Sequence, residues 1–279
     1  MIFILIKSLI VYKKYKNNYI YILHMKSLYT YLFHLIQITS ALINFRGGNL
    51  PREYPFHTIE MAPYHPKIHG YSNIGFLGDI HAKGVPLATK VIDILAYNKR
   101  NVRQEIADEL FKRVNPDSNV IDLGSSTGMM TTCLWNAGFK NLSALDASPE
   151  MLKYAKMRLP KEVDLVLGNA GLQVPSGDVY VCSFVMHELP TVARKAILKN
   201  VYDNMSENGM LLVIDIHQTY TPKEVMLQGE PFCLDYIQNF NDEIKNSDFK
   251  VESKTWIENH VQTWWCTKRD LDSPSVRES

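Results

Sequence analysis

Beyond Gly84 the apolar positions of the chain fall at regular intervals. Leu87, Val91, Ile94 and Leu95 recur at helical spacing, and after the polar break at 98–101 so do Val102, Ile106, Leu110 and Phe111. These positions predict two helices ahead of the first long strand. Downstream, short apolar runs at 120–123, 142–145, 163–167, 179–184 and 210–216 alternate with amphipathic stretches at 128–137, 149–158 and 190–205. Strands that alternate with helices form parallel βαβ units, whose crossover helices cover both faces of one sheet. The runs 249–257 and 260–267 stand close enough to pair as an antiparallel hairpin. The expected fold is α/β: a doubly wound, mostly parallel sheet over 84–279 with an antiparallel C-terminal hairpin.

The first 83 residues do not follow this pattern. Residues 1–24 mix apolar side chains with a basic, Asn- and Tyr-rich patch, and an uncharged stretch from Ser27 to Phe45 follows Met25 and Lys26. Read from Met25, with Thr39 and Ala41 as small residues for cleavage, residues 1–50 are expected to be an extension carrying a signal or membrane anchor. Their polar content is high for a spanning helix, and an over-extended gene start would look the same. The chain is thus placed in the cytoplasm, or in the secretory pathway or on a membrane if that signal acts. Residues 51–83, with Pro51, Pro55, Pro63 and Pro66, read as an irregular lid. His57, His65, His69 and His81 lie in it, but Pro66 interrupts the one helical pair, so no metal site is expected there.

Composition narrows the chemistry further. With 30 basic against 29 acidic residues the chain has almost no net charge to draw a polyphosphate or an anionic surface at long range. Nucleic acid is therefore not an expected partner, and membrane contact is expected only through the N-terminal segment. Cys133, Cys182, Cys233 and Cys266 show no CxxC spacing, which argues against both a zinc site and a disulfide framework. Oligomeric state leaves no mark on the sequence.

The strongest signal is VIDLGSSTG at 120–128, an apolar strand that runs into a glycine-bearing turn and then a helix. Such a turn brings bare backbone to a ligand at the carboxyl edge of a sheet: Gly124 for the tight bend, Gly128 for close helix packing, and free N–H groups for a carboxylate. A dinucleotide fingerprint fails here, because Ser126 and Met129 stand where its further glycines belong. The next strand ends in Asp146, about 20 positions after Gly124, the offset at which a carboxylate accepts both hydroxyls of a ribose. Ser148 and Pro149 then form an N-cap and first helical position.

Four segments in order, VIDLGSSTG (120–128), ALDASPEML (144–152), GNA (168–170) and GDVYVCSFVMHELP (177–190), resemble the class I S-adenosylmethionine-dependent methyltransferases of the small-molecule branch. ENGMLLVIDI (207–216) fits that family's fifth strand. The resemblance implies a Rossmann-like methyltransferase fold with S-adenosyl-L-methionine as cofactor. By it, Asp122, Gly124, Ser125, Ser126 and Gly128 line the methionine part, Asp146 grips the ribose, and Ala147, Asn169 and Ala170 border the adenine, with Phe184 near the cofactor. Ser126 replaces the middle glycine and Asn169 the usual acid; serine is small, and an amide oxygen still accepts from an adenine amine.

Methyl transfer needs orientation and a dry site, with a base only for a protonated acceptor. His187 and Glu188, just past the fourth strand, are the candidate catalytic residues. Tyr71 and Phe76 in the early segment, Tyr220 and Tyr236 after the fifth strand, and Arg103 as partner for a carboxylate are the candidate substrate contacts. The expected function is methyl transfer to a small-molecule acceptor whose O, N, S or C atom is left open. A protein or nucleic-acid methyltransferase and a non-catalytic binder of the cofactor stand as alternatives, though no NPPY-type tetrapeptide and no basic stripe is present.

Overall fold

In the computed structural model the described residues are 56–59 and 73–269, apart from the side chains at 225 and 228. They belong to one compact unit spanning 50–279. The expected extension 1–50 with its signal at Met25, most of the lid segment, and Tyr71, His65 and His69 lie outside the described residues.

The strands are β1 (His57–Thr58), β2 (Val120–Leu123), β3 (Leu142–Asp146), β4 (Asp164–Leu167), β5 (Gly177–Ser183), β6 (Met205–Ile216), β7 (Phe249–Ile257) and β8 (Val261–Lys268). They form one sheet in the order β1-β4-β3-β2-β5-β6-β8-β7. Neighbours from β1 to β6 run parallel, and β8 is antiparallel to both β6 and β7, which confirms the expected C-terminal hairpin. The helices are α1 (Gly75–Leu95), α2 (Val102–Arg113), α3 (Met129–Ala137), α4 (Pro149–Arg158), α5 (Thr191–Asn204), α6 (Glu224–Gly229) and α7 (Cys233–Lys245), with a 3-10 turn at Met186–Glu188. Among the described residues no helix is long and apolar enough to cross a membrane.

Strand alternation divides the core into two layers. Ile121, Leu123, Tyr180, Cys182, Leu211 and Val213 face one way, toward Ile197, Val201, Tyr236 and Phe240 of α5 and α7. Val120, Val179, Val181, Leu212 and Ile214 face the other, toward Ile106 and Leu110 of α2 and Leu134 of α3. The near-continuous apolar strands of the sequence are thus buried on both sides, as a parallel sheet requires.

Helix α1 departs from expectation in two ways. It begins at Gly75, inside the stretch read as irregular, and it continues through Pro86. A helix tolerates these breakers because packing fixes it: Leu77, Gly78, Ala82 and Thr89 are buried, and a Cβ on Gly78 would lie 2.5 Å from the Asn73 carbonyl carbon. The face is also different. Leu87 is 54% and Leu95 68% exposed, so the apolar stripe that announces the helix is not the side it buries. In α2, by contrast, Val102, Ile106 and Leu110 are buried as their spacing predicts.

Candidate functional site

Register brings the carboxyl ends of the central strands to one edge. Leu123 pairs with Leu145 on one side and Cys182 on the other, and Asp146 pairs with Leu167. Gly124, Asp146, Gly168 and Phe184 therefore leave the sheet side by side. The chain order reverses between β2 and β5, the switch point at which open α/β sheets bind ligands. A cleft of about 560 Å³ opens there.

The turn after β2 has a tightly determined shape. Gly124 sits at φ +67, and a Cβ on it would lie 2.5 Å from Val185 Cγ2. Ser126 takes φ +50, a left-handed conformation costly for a residue with a side chain. The Ser126 N–H donates to Asp146 Oδ2 at 2.7 Å, and the Ser148 N–H donates to Oδ1 at 2.8 Å. Asp146 thus ties the glycine turn to the start of α4. Each carboxylate oxygen keeps a further lone pair for a ribose hydroxyl. Burial pushes the Asp146 carboxyl up to about 6, against the pull of these N–H donors. Ser148 caps α4 by accepting from Met151 N–H at 3.1 Å, and its hydroxyl bonds the Asn73 carbonyl ahead of α1.

Asp122 stands beneath the turn. Thr131 Oγ1 of α3 donates to Asp122 Oδ2 at 2.5 Å, and burial pushes the carboxyl up to about 7. Among the described residues no hydrogen bond reaches Asp122 Oδ1 or Ser125 Oγ, although both atoms are buried and both residues line the cleft. Orphaned polar atoms beside exposed turn backbone suit the charged amino-acid end of S-adenosylmethionine. With Asp146 placed for a diol, the residues present fit that cofactor.

The cleft brings together Asp122, Gly124, Ser125, Ser126, Asp146, Ala147, Asn169, Ala170, Phe184, Glu188 and Arg103 of the expected residues. Phe184 holds φ +57 just past β5, a strained setting for a bulky residue, and the Arg103 guanidinium stacks 4.5 Å above its ring. Arg103 also approaches Asp93 at 3.4 Å and is largely buried, so it is no ordinary exposed helix arginine. Gly128 stands apart from the lining: it starts α3 at φ +78, where a Cβ would meet Leu159, so its smallness serves helix packing.

Other expected contacts lie elsewhere. Tyr236 is fully buried in α7, stacked on Phe240, with its hydroxyl donating to the Ile216 carbonyl at 2.8 Å. It is a core residue whose polar tip is satisfied, which corrects its reading as a substrate contact. Phe76 is 67% exposed and Tyr220 meets His260 edge to face, and neither lines the cleft. Covering side chains come instead from Asn73 just ahead of α1, from His81, Val85 and Thr89 of α1, and from Val192 and Ile197 of α5. An unrecognised helix start at Gly75 hid the first group, and the second sits on a helix whose pattern signals only core.

His187 is buried behind the lining. Its Nδ1 lies 2.6 Å from Asp215 Oδ1 and its Nε2 lies 3.4 Å from Glu230 Oε2. Burial by itself lowers an imidazole, but the carboxylates of Asp215, Glu230 and Glu188 outweigh it and hold His187 up at about 10. Glu188 faces the cleft, and burial pushes it up to about 7. Neither Asp215 nor Glu230 stood out in the sequence, because they reach His187 from the end of β6 and the loop after α6.

Known proteins give a consistent match. Residues 120–209 match a family model described as a methyltransferase domain. The chain is 26% identical over 148 residues to a carboxy-S-adenosyl-L-methionine synthase of Shewanella frigidimarina, covering 50% of this chain and 56% of that protein. It is 24% identical over 194 residues to a eugenol O-methyltransferase of Sorghum bicolor, covering 69% of this chain and 47% of that protein. The chain therefore spans about half the length of these curated relatives. In fold it is similar to a TehB-like SAM-dependent methyltransferase from Corynebacterium glutamicum, with a TM-score of 0.52, 16% identity, and coverage of 68% of this chain and 99% of that one. The stretch that matches the methyltransferase-domain model, 120–209, contains the turn, the acid after β3 and the strand leading to Phe184.

Proposed function

We propose that the protein transfers a methyl group from S-adenosylmethionine to a small-molecule acceptor. The observation that carries this reading is the pairing of Asp146 with the Gly124–Gly128 turn at one sheet edge, with Ser126 N–H 2.7 Å from Asp146 Oδ2. When bound, S-adenosylmethionine supplies an electrophilic methyl on a sulfonium. Asp146 would orient the ribose, Ser125 and Asp122 the amino-acid end, and Ala147 and Asn169 the adenine. Phe184 and Arg103 would flank the reacting end, and the apolar side chains of α1 and α5 would exclude water there. Glu188, which lines the cleft, is the candidate hydrogen-bond partner for the acceptor's nucleophilic atom, and Asp215 positions His187 behind it. A concave cleft of about 560 Å³, lined in part by side chains of α1 and α5, favours a small acceptor over a macromolecular surface. The test is product detection by mass spectrometry against a metabolite panel with labelled cofactor. Label in a small product is expected; label found only in protein or nucleic acid would overturn the acceptor class.

A second reading has one specific observation in its favour. Arg103 holds a guanidinium over Phe184 within the cleft, a ready partner for a carboxylate. A relative is named as a carboxy-S-adenosyl-L-methionine synthase, and by that analogy the product would be the carboxylated cofactor itself. The same mass spectra distinguish the two, since a carboxylated cofactor forms without any methylated acceptor.

A further inference from the structure

Behind the cleft an imidazole and three carboxylates converge. Asp215 is fully buried, and its Oδ1 accepts from Ile216 N–H at 2.7 Å as well as lying against His187 Nδ1. That contact fixes the hydrogen on Nδ1 and leaves Nε2 pointing away from Asp215. Facing Nε2 is Glu230, at 3.4 Å. One donor atom from each of His187, Glu188 and Glu230 can be chosen so that all lie within 4.8 Å of one another.

We propose that His187 Nε2 and the carboxylates of Glu188 and Glu230 bind one divalent cation of the zinc or manganese type at the acceptor end of the cleft. The His187–Glu230 separation of 3.4 Å is the edge of a tetrahedron whose arms are about 2.1 Å, the length of zinc bonds to nitrogen and oxygen, and the Glu188 donor lies within 4.8 Å of both. The donor set of one imidazole and two carboxylates suits a borderline ion better than a soft one. Asp215 supplies the carboxylate that such ligating histidines ordinarily hold through their second nitrogen. Three protein ligands leave a fourth position open, and since Glu188 lines the cleft that position faces the space an acceptor would enter. The ion would there polarise an acceptor oxygen. That last role rests on the proposed methyl transfer, whereas binding of the ion does not. The sequence conceals the site because Glu230 lies far along the chain, outside any ligand-spacing motif.

The test is calorimetric titration of the chelator-treated full chain with Zn2+ and with Mn2+, with elemental analysis after dialysis. One Zn2+ per chain is expected, bound more tightly than Mn2+. Glu230→Gln is expected to weaken Zn2+ binding at least tenfold, and Asp215→Asn by about 10- to 100-fold through its hold on His187. Circular dichroism and binding of S-adenosylhomocysteine by the Glu230→Gln chain report whether it still folds. Failure of the intact chain to bind Zn2+ with unit stoichiometry overturns the proposal. So does Zn2+ binding that is unchanged in both Glu230→Gln and His187→Gln, which would place the ion elsewhere. A chain that binds S-adenosylhomocysteine but no ion overturns the cation site alone; one that binds the ion but not S-adenosylhomocysteine overturns the methyltransferase reading alone.

Discussion

Replacing Gly124 by alanine perturbs the bend on which the cofactor cleft is built. Gly124 sits at φ +67, where an L side chain costs about 1–2 kcal/mol. The new Cβ would stand 2.5 Å from Cγ2 and 3.2 Å from Cγ1 of Val185, so that side chain must move, an overpacking cost of roughly 1–3 kcal/mol. A loss of about 3 kcal/mol in a domain of this size lowers the melting temperature by roughly 6–12 °C. Gly84 provides the contrast within the same chain: it lies inside α1, and a Cβ there meets nothing within 4 Å. Gly84→Ala should therefore stabilise by about 0.4–1 kcal/mol, through a less entropic unfolded chain. Differential scanning calorimetry of both variants reads the two signs directly. Val185→Ala in the Gly124→Ala background removes the overlapping methyls, so the double variant should lose less than the two single losses together. A Gly124→Ala protein that melts within about 1 °C of wild type, or strict additivity with Val185→Ala, would refute the steric account of the turn.

Two further outcomes follow from buried charge. Asp146 has its folded pKa raised to about 6 from 3.8, so its ionisation destabilises the fold progressively as pH rises from about 4 through 6. Ribose hydroxyls donate to the ionised form, so affinity for S-adenosylhomocysteine should increase as pH rises through about 6, read by calorimetry at several pH values; a flat profile would contradict Asp146 as the sugar ligand. Arg194 is fully buried, forks onto Glu243 at 2.6 and 2.7 Å, and donates to the Leu189 carbonyl at 2.6 Å. Arg194→Ala strands Glu243, which is itself nearly buried, and should cost about 3–5 kcal/mol in chemical denaturation, with an unchanged midpoint contradicting the network.

Much of this architecture is visible in the residues before any coordinates. The short apolar runs and the helical stretches between them give β2 to β5 and α3 to α5 within two residues of their observed limits, because a sheet covered on both faces leaves local pattern and tertiary burial in agreement, whereas β6 begins at Met205, ahead of its apolar run. The Gly124 turn and Asp146 are legible for the same reason: special backbone and a fixed offset constrain residue type directly. The aromatic contacts are not. An aromatic residue has one appearance in a lid and in a core, and Tyr236 proves to be core only when its hydroxyl is seen to meet the Ile216 carbonyl. The start of α1 at Gly75 is hidden because the low helix propensity of Gly75 and Gly78 speaks against a helix that the burial of Leu77 and Ala82 nevertheless holds. Asp215 and Glu230 are ordinary acids until folding brings them to His187.

The central claim is that one edge of the sheet holds one molecule of the methyl donor, gripped by the turn and by Asp146. Titration of the full chain with S-adenosylhomocysteine, beside the Asp146→Asn variant, tests it most directly. The account predicts saturable binding at one site per chain, weakened about tenfold or more in Asp146→Asn, as loss of charge-assisted hydrogen bonds worth about 1.5–3 kcal/mol requires. No binding by the wild-type chain, or equal affinity in the two proteins, would contradict it.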